Sequence, residues 1–527
     1  MADWSPAQPL PAHWFGPSVG FDNSGRVRVA YAQLLSLSPI STRVAIAERK
    51  NGAWVDVFEK KSVAGDIPIE ITLAAGADGS AAACYTTITS TDPATYQWRH
   101  YVSYAPAATR KWETPTEIVP ASAPSEFTRQ RRVQVADNGI AVVVADRFDG
   151  AAGSAVGSVV VTFHISNTSS WTTPQKLTPT GGLNGGIALD VDGLGNPTVA
   201  WIHRYQASPP RSSIRVCTPS ATGPTPQSVA LTPENGADAG GVRLAVNYLG
   251  AAVLGAYIGG HANVTTRENA AAPWQSFTAL FNSSTAASSS CLDVGITFSG
   301  MNYALVRRQG PTTSSNDGIC ATRSGYPGIW PTPKVISPAG TESRDGQIAI
   351  RKGPFGSEEA VLVYTGAVGF GGGDPGLGLF RASHWPVYLN DPRTPVDLAE
   401  QGPTHHIDQV IADRAGSVAV IETVYDELTN RAYATAFDAS APDILEAVVP
   451  AAVTTNQVVQ LRSRVADTWS PMGPITWDFG DGTPAGTGPT VTHGWAAPGP
   501  YTVTLSGADI QGNTVTKSFA VTVTGPA

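Results

Sequence analysis

Most of this chain is written in one recurring phrase: an apolar strand, a Gly or Asn-Gly turn, then a Val/Ala-rich strand with little charge. The turn glycines are Gly25, Gly79, Gly139, Gly195, Gly250, Gly300, Gly356 and Gly416, spaced 50 to 60 residues apart. A period of that length exceeds most helical solenoids and fits a four-stranded propeller blade. The strands after the turns, such as Val27-Arg-Val-Ala-Tyr31, Ile140-Ala-Val-Val-Val144 and Ala360-Val-Leu-Val-Tyr364, carry small and β-branched residues suited to burial on both faces. Further along most repeats a Trp opens a short Pro/Thr-rich stretch, at Trp54, Trp112, Trp171, Trp274, Trp330 and, less regularly, Trp385, while in the fourth repeat the stretch opens at Gly223 instead. Proline removes a ladder donor, so these stretches are predicted as the outermost strands of the blades.

The eighth repeat ends near Ala436 without such a strand, while the chain opens with Trp4-Ser-Pro-Ala-Gln-Pro-Leu-Pro11. The missing strand is therefore expected at the N-terminus, latching the ring by pairing its two ends and removing an open edge. The expectation is an all-β chain: an eight-bladed β-propeller over residues 1–443, then a separate domain over 444–527.

That second domain reads Val465-Ala-Asp-Thr-Trp-Ser470, Ile475-Thr-Trp-Asp-Phe-Gly-Asp-Gly482, Val491-Thr-His493, Tyr501-Thr-Val-Thr-Leu505 and Phe519-Ala-Val-Thr-Val523. It resembles the PKD domain, an immunoglobulin-like β-sandwich of surface and secreted proteins, and the resemblance implies a spacer or contact module. Trp477 and Phe479 alternate with Asp478, as on a strand with one buried face, and Gly480-Asp-Gly482 supplies a tight turn. The repeats in turn resemble bacterial propellers of the lectin and sialidase-like type, although a shared fold does not fix a function.

Composition narrows the class. Charged residues make up 14% of the chain, against roughly 25% in an average domain, as expected where small side chains fill the space between sheets. No run approaches the ~20 apolar residues of a membrane span, and a net charge of −8 without a basic stripe argues against nucleic acid. Met1-Ala-Asp-Trp4 shows neither the basic nor the apolar region of a signal peptide, and Trp4 is already assigned to a strand. An extracellular, surface or virion-associated location is expected from the resemblance, with the export route open.

Candidate chemistry is sparse. Arg147, Arg204 and Arg307 follow the second strands of their blades, with Glu422 at the matching place in the eighth, so these charges are candidates for an anion-binding rim. The sialidase Asp-box is missing, which puts that activity in doubt. Whether Asp146, Glu422 and Asp426 converge as a catalytic pair is not legible in the sequence. Asp190, Asp192 and Asn196 space oxygens at alternate positions like a calcium loop, but without the terminal bidentate Glu. His405-His406 offers two imidazoles with no third ligand at a recognisable spacing. Four cysteines lack zinc spacing; Cys291 and Cys320 fall on the first and third strands of one blade, where only a curled loop could join them. The leading expectation is a non-enzymatic recognition or adhesion protein with a glycan or surface-protein ligand and no cofactor. The rivals are a structural subunit of a virion, injection apparatus or surface assembly, and a glycoside hydrolase or lyase at the propeller funnel.

Overall fold

The computed structural model describes residues 4–525 except 6, 12–14, 23–25, 51–52, 64–65, 90–97, 120–130, 150–155, 166–169, 179–182, 206–210, 224–226, 234–236, 282–285, 310–317, 326–328, 339–341, 353–356, 369–376, 400–403, 414–415 and 426–429. The turn glycines Gly25 and Gly356, and Asp426, lie outside the described residues.

Eight four-stranded antiparallel sheets form among the described residues. Their first strands, here numbering blades 1 to 8, are Phe15–Phe21, Ile67–Ala75, Arg131–Val135, Leu183–Val191, Ala239–Val246, Ser288–Ile296, Glu342–Lys352 and Thr404–Ala412. Each touches the first strand of the next blade, and blade 8 touches blade 1, so the sheets close around a central channel. The low-charge strands after the turns are buried in the second position of each sheet. Val142 and Val144 of blade 3, for instance, pack with Ile187, Leu189 and Trp201 of blade 4. The Pro/Thr-rich stretches supply the outermost strands, such as Lys334–Val335 and Val396–Asp397. The marker tryptophans are absorbed into packing: Trp112, Trp171, Trp274 and Trp330 lie partly buried against inter-blade cores.

The ring is latched as the sequence predicts. Gln8–Pro9 pairs antiparallel with Asn430–Phe437 as the fourth strand of blade 8, where a proline at an edge leaves no ladder donor missing. Ser5 N donates to Ala436 O at 2.7 Å and Leu10 N to Ala432 O at 3.0 Å. Trp4 stacks edge-on against Phe437.

Side chains stitch neighbouring first strands around the channel. Ser18 Oγ accepts from Leu73 N, Asp190 Oδ2 from Val246 N, Asp293 Oδ2 from Ile348 N, Gln347 Oε1 from Val410 N, and Gln409 Oε1 from Val19 N. The last of these joins blade 8 to blade 1, so closure is hydrogen-bonded at the innermost strand as well as at the outermost. Each device satisfies a backbone N–H that would otherwise lie unpaired at a partly buried sheet edge. All four cysteines are buried free thiols; a Cys291–Cys320 bridge is not formed, because Val306 stands between them in register.

The sandwich has one sheet of Asp443–Val448, Val459–Ala466 and Thr490–His493, and a second built on Met472–Asp478, Gly499–Asp509 and Thr514–Thr524. Trp477, Phe479, Trp495 and Leu505 fill its core. Gly480 has φ 76°, and a Cβ there would stand 2.4 Å from Thr502 O, so only glycine fits this turn. Asp478 Oδ1 accepts from Gly480 N, and Asp481 pairs with His493, whose ring stacks on Phe479 at 3.8 Å. The Trp477-to-Gly482 segment thus works as one turn-and-core unit.

The sandwich is docked, not dangling. Trp469 leaves its surface and enters the core between blades 1 and 8, 2% exposed, beside Leu10, Val19, Phe21 and Ala434. Gln8 Nε2 donates to Trp469 O, and Asn513 Nδ2 donates to Asp438 O at the end of blade 8. Behind Trp469, carboxylate oxygens of Asp438, Asp467 and Asp509 lie within 4.8 Å of one another. All three accept hydrogen bonds, from Ser440 N and Ser470 Oγ, from Trp469 N and Ser470 N, and from Asn513. Burial, then the Asp467 charge, pushes the Asp438 carboxyl up to about 7.

Candidate functional site

Among the described residues, the turns that join first to second strands emerge on one face of the propeller and surround the channel mouth. Here the chain departs from its own repeat. Blades 2 and 3 have polar turns, Ala77-Asp-Gly79 and Asp137-Asn-Gly139, whereas blades 4 to 6 carry Leu194, Tyr248-Leu249 and Phe298 at the same place. These four side chains are 67%, 46%, 60% and 57% exposed. Large apolar groups at such exposure on successive turns form a contiguous patch, which marks an interaction surface more readily than scattered residues do.

The patch is held rigidly. Asn138 Nδ2 donates to Leu194 O, Gly193 N to Tyr248 O, and Asn247 Nδ2 to Thr297 O and Phe298 O; Glu358 of blade 7 accepts from Phe298 N and Ser299 N. The turns of blades 3 to 6 and the start of the second strand of blade 7 are therefore linked one to the next. Tyr248 lies flat on the Gly193 backbone, where an added Cβ would meet its ring at 2.0 Å, and its centroid is 6.0 Å from that of Phe298. One ring face rests on glycine, and the side chain remains about half exposed.

Beside these rings opens a cavity of about 880 Å³, lined by all eight blades and including Gly193, Tyr248, Phe298, Lys352 and five aspartates. Four of the aspartates serve the turns or strands around them. Asp22 accepts from Arg26 N and faces Arg28, and Asp413 accepts from Gly416 N and Ser417 N. Asp192 Oδ1 accepts from Leu194 N and Asn196 N while Oδ2 accepts from Asn196 Nδ2. Asp190 accepts from Val191 N and reaches away to blade 5, and burial pushes its carboxyl up to about 7. Asp190 therefore spends its oxygens on its own strand and the inter-blade seam, while Asp192 spends its own within the turn, where it holds Asn196 through the amide N–H groups.

Of the rim set Arg147, Arg204, Arg307 and Glu422, the three members whose side chains are described are not brought together either. Arg204 and Arg307 are exposed at the ends of their strands on blades 4 and 6, with blade 5 between them. The side chain of Arg147, like that of Asp146, lies outside the described residues. Glu422 is 1% exposed and hydrogen-bonds His405 Nδ1, so it is an interior partner and not a rim charge. The adjacent His406 faces Asp345 instead, which separates the two imidazoles.

A second concavity, about 420 Å³, lies where the sandwich meets blades 1 and 2. Arginines from both domains line it.

The fold defines the class: an eight-bladed propeller carrying an immunoglobulin-like sandwich. Residues 439–523 match the family model of the PKD domain, and the C-terminal sandwich is a PKD domain. No curated protein matches the chain. Among solved structures, the Dos1 propeller is similar at 10% identity and TM-score 0.43, over 82% of this chain and 95% of that one. The NanB sialidase from Streptococcus pneumoniae is similar at 11% identity and TM-score 0.36, over 83% and 93%. The polysaccharide lyase Uly1 is similar at 10% and 0.38, over 75% and 92%. At these scores the likenesses carry no inference about activity or ligand. No helix among the described residues is long and apolar enough to cross a membrane.

Proposed function

We propose that this protein is a non-enzymatic recognition protein that binds a glycan at the channel mouth, with the PKD domain as a docked contact module, and that it works outside the cell or on a surface, where PKD domains are typical. The observation that carries the reading is the Tyr248–Phe298 pair, two exposed rings fixed by turn-to-turn hydrogen bonds beside a polar-floored cavity. Rigid aromatic faces take the C–H face of a sugar ring, while neighbouring backbone and carboxylate acceptors take its hydroxyls. The capping duties of Asp22, Asp190, Asp192 and Asp413 support binding over catalysis, since a hydrolase needs carboxylates free to exchange protons.

A glycan array probed with the full chain, followed by calorimetry on the best hit, tests this. Saturable binding weakened about tenfold or more by Tyr248→Ala with Phe298→Ala is expected, about 1.4 kcal/mol or more. Binding that ignores both substitutions, or none at all, overturns the assignment. Self-association of the wild type that disappears in the same double variant would instead give the patch, with its exposed Leu194 and Leu249, to contacts between assembly subunits.

A further inference from the structure

The cleft at the domain junction has a chemistry of its own. Its cations are Arg26 and Arg49 from blade 1, Arg110 from the loop after the third strand of blade 2, and Arg464 from the sandwich. Among the described residues none of these guanidiniums makes an ion pair. The acids in the same walls are engaged elsewhere. Asp467 Oδ1 accepts from Trp469 N and Ser470 N while the carboxyl faces Asp438, and Glu48 is buried opposite Arg28 on the neighbouring strand. Asp443 lies near the Arg26 guanidinium and Asp467 near that of Arg49, without closing an ion pair with either.

Arg49 is built into place. It bonds Gln8 Oε1 and lies 5.7 Å from the centroids of both Trp54 and Trp469, so its guanidinium is held between two indoles. Its Nε is buried and has no acceptor. A fixed guanidinium that shares the cleft with three more, one from its own blade and two from other elements, is suited to oxyanions, because a planar fork binds carboxylate or sulfate through paired hydrogen bonds. The exposed Leu445 and the half-buried Val57 add apolar wall between the charges.

We propose that the junction cleft is a second binding site, for the carboxylate or sulfate groups of an acidic polysaccharide. The cations are strung across three elements, which favours a polymer over a single small anion. The interspersed Glu48, Asp443 and Asp467 and the net charge of −8 disfavour nucleic acid, whose phosphates demand a continuous basic track. Both domains contribute, so the site exists only while the sandwich is docked. It is separate from the Tyr248–Phe298 mouth and stands whether or not that site takes a sugar.

The test is calorimetry in low-salt buffer on the full chain with oligogalacturonate, sulfated dextran oligomers, neutral dextran oligomers and single-stranded DNA. Saturable binding of one or both acidic sugars is expected, with none to neutral dextran. The stronger of the two acidic arms tells carboxylate from sulfate. The exposed pair Arg110→Gln with Arg464→Gln should weaken it at least about tenfold at unchanged melting temperature, and Tyr248→Ala should leave it unaltered. No binding of either acidic sugar, equal binding of DNA, or an unchanged affinity in the double variant overturns the proposal.

Discussion

Replacing Trp469 by alanine should uncouple the two domains without unfolding either. The indole is 2% exposed, meets Phe21 edge-on at 6.0 Å and lies under the Arg49 guanidinium. A buried indole hides on the order of 200 Å², worth about 5 kcal/mol at ~25 cal/mol per Å². Its N–H is buried without an acceptor, an unmet cost of about 1–3 kcal/mol that alanine removes. The net loss is about 3 kcal/mol, at the lower end of Trp-to-Ala values in cores, or a factor of roughly 100 in the docked equilibrium. Scanning calorimetry should show the variant's sandwich melting apart from the propeller, and limited proteolysis should cut between Phe437 and Asp443. Trp469→Phe keeps most of the apolar area and drops the orphan N–H, so it should stay within about 1 kcal/mol of wild type. If Trp469→Ala leaves both the melting profile and the protease pattern unchanged, Trp469 does not hold the junction.

The raised Asp438 carboxyl makes docking depend on pH. A folded-state value of about 7, above that of a free carboxylate, means that protonation favours the docked state; stability should therefore rise as pH falls from about 8 towards 4, and be lost as pH rises through 7. Asp467 and Asp509 face Asp438, and the Arg49 guanidinium interacts electrostatically with Asp467. Asp190, Asp293 and Asp408 are also raised by burial and act in the same direction, so the measurement is the difference between wild type and Asp438→Asn across that range, which should flatten in the variant. The four thiols should be silent to Ellman's reagent in the native protein and all react in guanidinium, since burial pushes Cys291 and Cys320 up to about 12; fast labelling of native protein would contradict their burial. Gln409→Ala should cost about 1–3 kcal/mol by leaving Val19 N unpaired at the closing seam, read from denaturant unfolding. Gly193→Ala should displace the Tyr248 ring and weaken glycan binding while sparing the junction cleft; unchanged sugar affinity would show that the ring's seat on glycine does not matter.

The number of blades, their strand order and the N-terminal latch were legible in the sequence because each is set locally. A turn glycine and a Val/Ala strand specify one hairpin, and a Pro-rich stretch lacking donors settles at an edge wherever it occurs. The PKD motif was legible for the same reason, since Trp477 to Gly482 is one turn and its core anchors. The candidate sites were not. Charges at similar offsets within their repeats, such as Arg204, Arg307 and Glu422, end on different blades, and one of them turns inward to His405. A visible signal was the exchange of polar turn residues for Leu194, Tyr248 and Phe298, which only the ring places side by side around one mouth. The junction had no sequence signal at all: Trp469 belongs to the sandwich by position yet to the core of blades 1 and 8 by packing. A repeat encodes how the chain folds on itself within about 60 residues; what meets across the ring, or between the two domains, is decided by contacts hundreds of residues apart, as from Gln8 to Trp469.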